Sequence, residues 1–191
     1  MTLTDTIFVF IPKTGTTTII TQLTEIDPIT FPFHAPHRTA TQYKAIDPNY
    51  DSKFSFSIVR NPFQRMVSLW QHDIHSALGT KNLEYKKFYD FNTWIEEQAS
   101  HVEWLRYGWS MPQWYWVSDS SKIIVSKLYR FENYRESLID LSEKLNVKFD
   151  LELVTNTSMK QYRYNDIASP NTKKIMLELC KLDCDKFNYD W

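Results

Sequence analysis

The sequence predicts an α/β fold: a single domain over residues 1–191, built in three layers, with a central, mainly parallel β-sheet flanked by helices. Three observations predict it. Short runs of β-branched and aromatic residues alternate with longer stretches of helical periodicity, the pattern of strands joined by crossover helices. The chain has 191 residues, 42% of them hydrophobic and 24% charged, which suits one domain with a substantial core. No internal repeat, low-complexity tract or Gly/Ser linker divides it.

Each element follows from its own residues. Residues 6–11 ("TIFVFI") are an apolar, β-branched and aromatic run bounded by Pro12, hence a buried strand. A helix follows over 15–26, its first turn rich in threonine hydroxyls. Residues 27–37 form a proline-broken loop, and a short helix is expected at 39–46. The second strand spans 54–59. Asn61-Pro62 then opens a helix over 62–78, because proline in the first turn lacks only an N–H that would have no helical partner. After a loop come a helix over 91–100 and an aromatic loop over 101–120. The third strand is expected at 122–130 and a helix at 134–145. Residues 150–169 read as irregular, and 171–183 as the last helix. In sheets of this kind ligands sit at the carboxyl ends of the strands.

Composition narrows the function classes. A net charge of −1 argues against a general nucleic-acid surface, so any anion site must be local. The apolar runs fall far short of the ~20 residues that cross a bilayer. The first residues, Met-Thr-Leu-Thr-Asp-Thr, lack the basic start and apolar core of a signal peptide. Cys180 and Cys184 lie four apart in a helical pattern, a poor spacing for a disulfide and too few for a metal framework. These features predict a cytoplasmic protein with no membrane or nucleic-acid partner.

Two stretches carry chemistry. In "FVFIPKTGTTTII" (8–20) one of only three glycines sits between Lys13 and a run of threonines, directly after a strand. A strand, a tight glycine turn and a helix N-terminus make an anion site, because the first helical N–H groups point outward. Lys13 adds charge and Thr14, Thr16, Thr17 and Thr18 add donors, a set suited to phosphate or sulfate. The lysine precedes the glycine, so this is not the G-x-x-x-x-G-K-[ST] loop of ATP-binding proteins. By itself the stretch also reads as a plain turn in which Gly15 supplies positive φ and Lys13 is solvated. In "KFSFSIVRNPFQRMVSLW" (53–70) Arg60 stands at a strand's carboxyl end, and Arg65, Ser68 and His72 share a face of the following helix. The Arg60 fork and the Ser68 hydroxyl suit a second phosphate. An arginine paired with a carboxylate on an ordinary amphipathic helix is the plainer reading.

Taken together, "PKTGTTT" and "VRNPFQRMVS" resemble the two cofactor-binding signatures of the sulfotransferase family, more narrowly its carbohydrate-type branch. "KLYRFENYRESL", "NTSMKQYRY" and the ending "DKFNYDW" are similar more loosely. Thr16 stands where many carbohydrate-type members have a second glycine. The resemblance implies a P-loop-like fold and the sulfate donor 3′-phosphoadenosine 5′-phosphosulfate (PAPS), with the 3′,5′-bisphosphate PAP as product and no metal. It implies that Lys13, Thr14, Gly15, Thr16, Thr17 and Thr18 hold the 5′-phosphosulfate, and that Arg60 and Ser68 hold the 3′-phosphate. Lys160 is expected to close over the nucleotide.

Sulfuryl transfer to a hydroxyl needs a base, and histidine suits neutral pH. His34 and His37 lie in the loop between the two motifs. "HRTATQYKAI" resembles a family segment whose histidine lies in the catalytic pocket, which favours His37 as catalytic, with His34 second and His72 third. Lys13 is expected to stabilise the leaving oxygen. His72, Asp73 and His75 do not make a convincing metal set. The aromatic stretch 104–116, with Arg106, Gln113 and nearby His101, suits a sugar acceptor, although core packing explains part of it. The expected activity is PAPS-dependent sulfuryl transfer to a hydroxyl, most naturally of a saccharide. A nucleotide-dependent kinase and a catalytically inactive nucleotide-binding protein are the alternatives.

Overall fold

Strand β1 (Thr6–Phe8) runs parallel to β2 (Phe54–Val59), and β2 runs parallel to β3 (Lys127–Arg130), giving a three-stranded sheet in the order β1-β2-β3. The register pairs Phe8 with Phe56, Ile58 with Tyr129 and Val59 with Arg130. This computed structural model describes residues 2–32, 37–80, 90–100, 108–153 and 162–190, with only the backbone of 75–80. The helices are α1 (Thr16–Ile26), α2 (Ala40–Ile46), α3 (Pro62–Thr80), α4 (Phe91–Ala99), α5 (Gln113–Val117), α6 (Tyr134–Leu145), α7 (Tyr164–Ile167) and α8 (Pro170–Phe187). Cα proximity groups the chain into two compact units, Met1–Arg60 with Gln113–Thr157, and Asn61–Pro112 with Ser158–Trp191.

The first unit holds the sheet. Period-2 alternation puts Phe8, Phe10, Phe56, Ile58 and Tyr129 on one face, where they form one core with Ile19, Ile20 and Leu23 of α1 and Leu138, Leu141 and Leu145 of α6. The three-and-four spacing of those helical residues makes one apolar stripe per helix. The alternate residues Ile7, Val9, Ile11, Ser55, Ser57 and Val59 are buried as well. Burying Ser57 is tolerable because its hydroxyl donates to the Val9 carbonyl at 2.7 Å.

Two strands are shorter than the sequence suggests. β1 ends at Phe8, though the Val9 N–H still donates to the Phe56 carbonyl at 2.9 Å. β3 begins at Lys127 and not at 122, because Ile123 bridges Ser118 antiparallel and the Ile124 N–H donates to the Val117 carbonyl. At Ser126 hydroxyls replace the ladder: Ser126 N–H donates to Ser55 Oγ at 3.0 Å and Ser55 N–H to Ser126 Oγ at 3.2 Å. The aromatic segment expected to be a loop contains α5, and the irregular segment contains α7.

The second unit is helical. Asn92 on α4 ties its elements together: its amide donates to the Ile167 carbonyl, while its oxygen accepts from Ser169 N–H at 2.8 Å and Thr172 Oγ1 at 2.7 Å. Ser169 caps α8, with Pro170 at the first helical position. Cys180 and Cys184 are buried free thiols on α8, and burial, ahead of nearby acidic groups, pushes Cys184 up to about 11. Among the described residues no helix is long and apolar enough to cross a membrane.

Candidate active site

The loop after β1 takes its shape from two left-handed residues. Lys13 has φ 70 and Gly15, at the N-cap of α1, has φ 81. Glycine accepts that conformation freely, whereas lysine does so at a cost of about 1–2 kcal/mol. Alternating left-handed residues before a helix turn successive N–H groups toward one side, a nest for an anion. Side-chain oxygens of Thr39, Asp90 and Ser169 cap α2, α4 and α8. α1 starts from a glycine that has no side chain to cap it. The positive end of its dipole therefore faces whatever the loop holds.

The surrounding residues lock this loop. A Cβ on Gly15 would lie 2.8 Å from Phe131 Cε2 and 2.9 Å from Tyr134 Cε2, so only glycine fits under the two rings. The Tyr134 hydroxyl donates to the Gly15 carbonyl at 2.8 Å, and burial pushes this phenol up to about 12 although a bond with the Thr18 side chain lowers it. Thr14 is fully buried and its hydroxyl donates inward to the Ile11 carbonyl at 2.9 Å. Thr16 and Thr18 are buried, while Thr17 is half-exposed.

Arg60, the first residue past β2, reaches the same loop. Its Nη1 donates to the Lys13 carbonyl at 3.1 Å, and its guanidinium carbon lies 4.3 Å from the centre of the Phe131 ring. Its main chain is gripped by Gln113: the Arg60 N–H donates to Oε1 and Nε2 donates to the Arg60 carbonyl, each at 2.8 Å. Gln113, read from sequence as an acceptor contact, is thus fully buried and engaged with the backbone.

His37 also belongs to this region. Its Nδ1 lies 3.2 Å from the Phe10 carbonyl, two residues before Pro12, and its ring meets Phe10 and Trp116 edge-on. A carbonyl only accepts, so this contact places the proton on Nδ1 and makes Nε2 the basic nitrogen of the neutral ring.

Three further predicted residues, Arg65, Ser68 and His72, belong to the second unit. Ser68 is half-buried on α3, in the second unit. Arg65, predicted to share its face, is buried and donates to the Trp109 carbonyl; burial lowers its pKa against the opposing pull of Asp183. The His72 ring is tilted at 51° to that of Trp109 with its centre 4.8 Å away, and its Nδ1 lies 3.7 Å from Asp73. Of the aromatic stretch, Trp114 and Trp116 are core residues, while Trp109 and Tyr115 are 40% and 45% exposed. His34, His101, Arg106, Lys160 and the side chain of His75 lie outside the described residues. Among the described residues no group of three His, Cys, Asp or Glu side chains is placed to hold a metal ion.

Sequence reasoning missed Phe131 and Tyr134, which shape the loop from across the sheet. Two aromatic residues directly after a strand end, in "RFENY", are the signal that was available. A profile of the sulfotransferase family matches residues 5–190. No curated protein and no solved structure matches the chain.

Proposed function

Because the chain belongs to the sulfotransferase family, we propose that it moves the sulfuryl group of PAPS to an acceptor hydroxyl, most naturally of a saccharide. On this reading residues 1–191 act as one sulfotransferase domain in the cytoplasm. The observation that carries the proposal is the loop in which Lys13 and Gly15 both take positive φ ahead of α1, with Arg60 bonded to the Lys13 carbonyl. Its donor chemistry fits a nucleotide with two anionic ends: main-chain N–H groups, an ammonium and a guanidinium.

When bound, PAPS supplies an activated sulfuryl group on a phosphate leaving group. The amides from Thr14 to Thr18 and the Lys13 ammonium hold its phosphosulfate. Lys13 offsets the charge that grows on the bridging oxygen as its bond to sulfur breaks, an effect typically worth about 3–4 kcal/mol. His37 takes the acceptor's hydroxyl proton on Nε2 while that oxygen bonds to sulfur, and its Nδ1–H stays on the Phe10 carbonyl. Arg60 meets the 3′-phosphate. Ser68 joins it, and Lys160 closes over the nucleotide, on the strength of the family resemblance. His34 is the second candidate for the base.

Radiolabelled PAPS offered with a panel of saccharides, phenols, steroids and peptides tests the proposal. Label on a saccharide hydroxyl is the expected result. Label on another class alone would overturn the acceptor and keep the donor. PAP binding without transfer to any member would replace the enzyme with a nucleotide-binding protein.

A further inference from the structure

Arg60 sits one residue beyond the last rung of the sheet, Val59 with Arg130. Beyond that rung Gln113 meets both the N–H and the carbonyl of Arg60 with one side chain. The amide of glutamine has the same donor and acceptor as a peptide, so it acts as a one-residue extension of the sheet. Both bonds are 2.8 Å and Gln113 is fully buried, so the geometry is held within the packed interior. The chain leaves the first unit after Arg60 and re-enters it at Gln113, so this pair also joins the two ends of the segment between them.

We propose that Gln113 is a positioning residue for the nucleotide. By clamping both peptide groups of Arg60 it fixes the direction in which the guanidinium leaves the sheet, across Phe131 and onto the Lys13 carbonyl, and thereby sets discrimination for a 3′-phosphate. The inference rests on the reading that Arg60 meets that phosphate. A guanidinium fork gains from two bonds only when its plane is correctly aimed, so a loosened main chain lowers the benefit without removing the charge.

The test compares the affinities of PAP and adenosine 5′-monophosphate, whose ratio isolates the 3′-phosphate. Arg60→Ala should reduce that ratio about 10- to 150-fold, the usual range for a charge-assisted bidentate contact. Gln113→Met, which keeps the volume and loses both bonds, should reduce it about 5- to 10-fold, with monophosphate affinity within about twofold of the parent. In the Arg60→Ala background Gln113→Met should change the ratio by less than about twofold, because it acts through Arg60. Gln113→Glu guards against a variant that folds poorly. Its protonated carboxyl has both a donor and an acceptor, so the ratio should match the parent at low pH and fall toward the Met level as the carboxyl ionises. Equal loss of both nucleotides, additivity with Arg60→Ala, or a Gln113→Glu ratio at the Met level at every pH would each overturn the inference. An unchanged ratio in Arg60→Ala would overturn the reading of Arg60 itself, and this inference with it.

Discussion

Lys13 holds a left-handed conformation that a lysine adopts only against a steric cost, and it does so beside an uncapped helix end. Strain of this kind persists where a side chain is needed at that point for something other than stability. Lys13→Gly relieves about 1–2 kcal/mol of strain and adds a comparable entropy cost through the unfolded chain. The fold should therefore melt no lower than the parent by chemical denaturation, while sulfuryl transfer falls about 10²–10³-fold. A clear loss of stability would show that the side chain is structural. His37 is a separate case, since its bond to the Phe10 carbonyl orients the ring. His37→Ala should leave PAP affinity nearly unchanged and lower turnover about 10²–10⁴-fold. Near-normal turnover in this variant would move the base to His34 or His72.

The β1–loop–α1 element is defined from two sides. Its own residues supply the strand, the glycine and the apolar stripe of α1, all visible in the sequence. Its packing comes from Phe131 and Tyr134, more than a hundred positions away, which cover Gly15 and bond its carbonyl. Gly15→Ala should therefore act twice: about 1–2 kcal/mol for the left-handed alanine, plus the displacement of two rings. Denaturation should show at least about 2 kcal/mol of lost stability, and PAP affinity should fall with it as the nest opens. A change below about 0.5 kcal/mol would mean that the rings move away easily. The third strand shows the opposite limit. The apolar run that predicts 122–130 is there, but hydroxyl bonds at Ser55 and Ser126 and the bridge at Ile123 take the hydrogen bonds that would have extended it.

For the whole molecule, a net charge of −1 means that any affinity for the proposed polyanionic nucleotide must come from a few placed cations and amides. A ligand bound only by the folded state adds about 2.7 kcal/mol at one hundred times its Kd. For a chain of this size each kcal/mol raises Tm by about 2–4 °C. PAP at that excess should thus raise Tm by about 5–10 °C. ATP with Mg²⁺ at the same concentration should do much less, because the lysine precedes the glycine and the loop is not that of an ATP-binding protein. A larger shift with ATP·Mg²⁺ would favour the phosphotransferase reading.

What the sequence determined by itself is local or periodic: the strand–turn–helix order, the apolar faces of β2, α1 and α6, and the candidate anion loop with Lys13 and Gly15. Such features depend on neighbours a few positions apart, so propensity and pattern express them directly. Tertiary structure alone decided which distant groups serve that loop. The clamp of Gln113 on Arg60, the rings of Phe131 and Tyr134 over Gly15 and the bond from Arg65 to the Trp109 carbonyl join residues of large separation. The two hydrogen-bonded cases are settled by which polar group must find a partner once the chain has closed around it. A glutamine in an aromatic run looks like a ligand contact until the fold places it against the N–H and the carbonyl of Arg60.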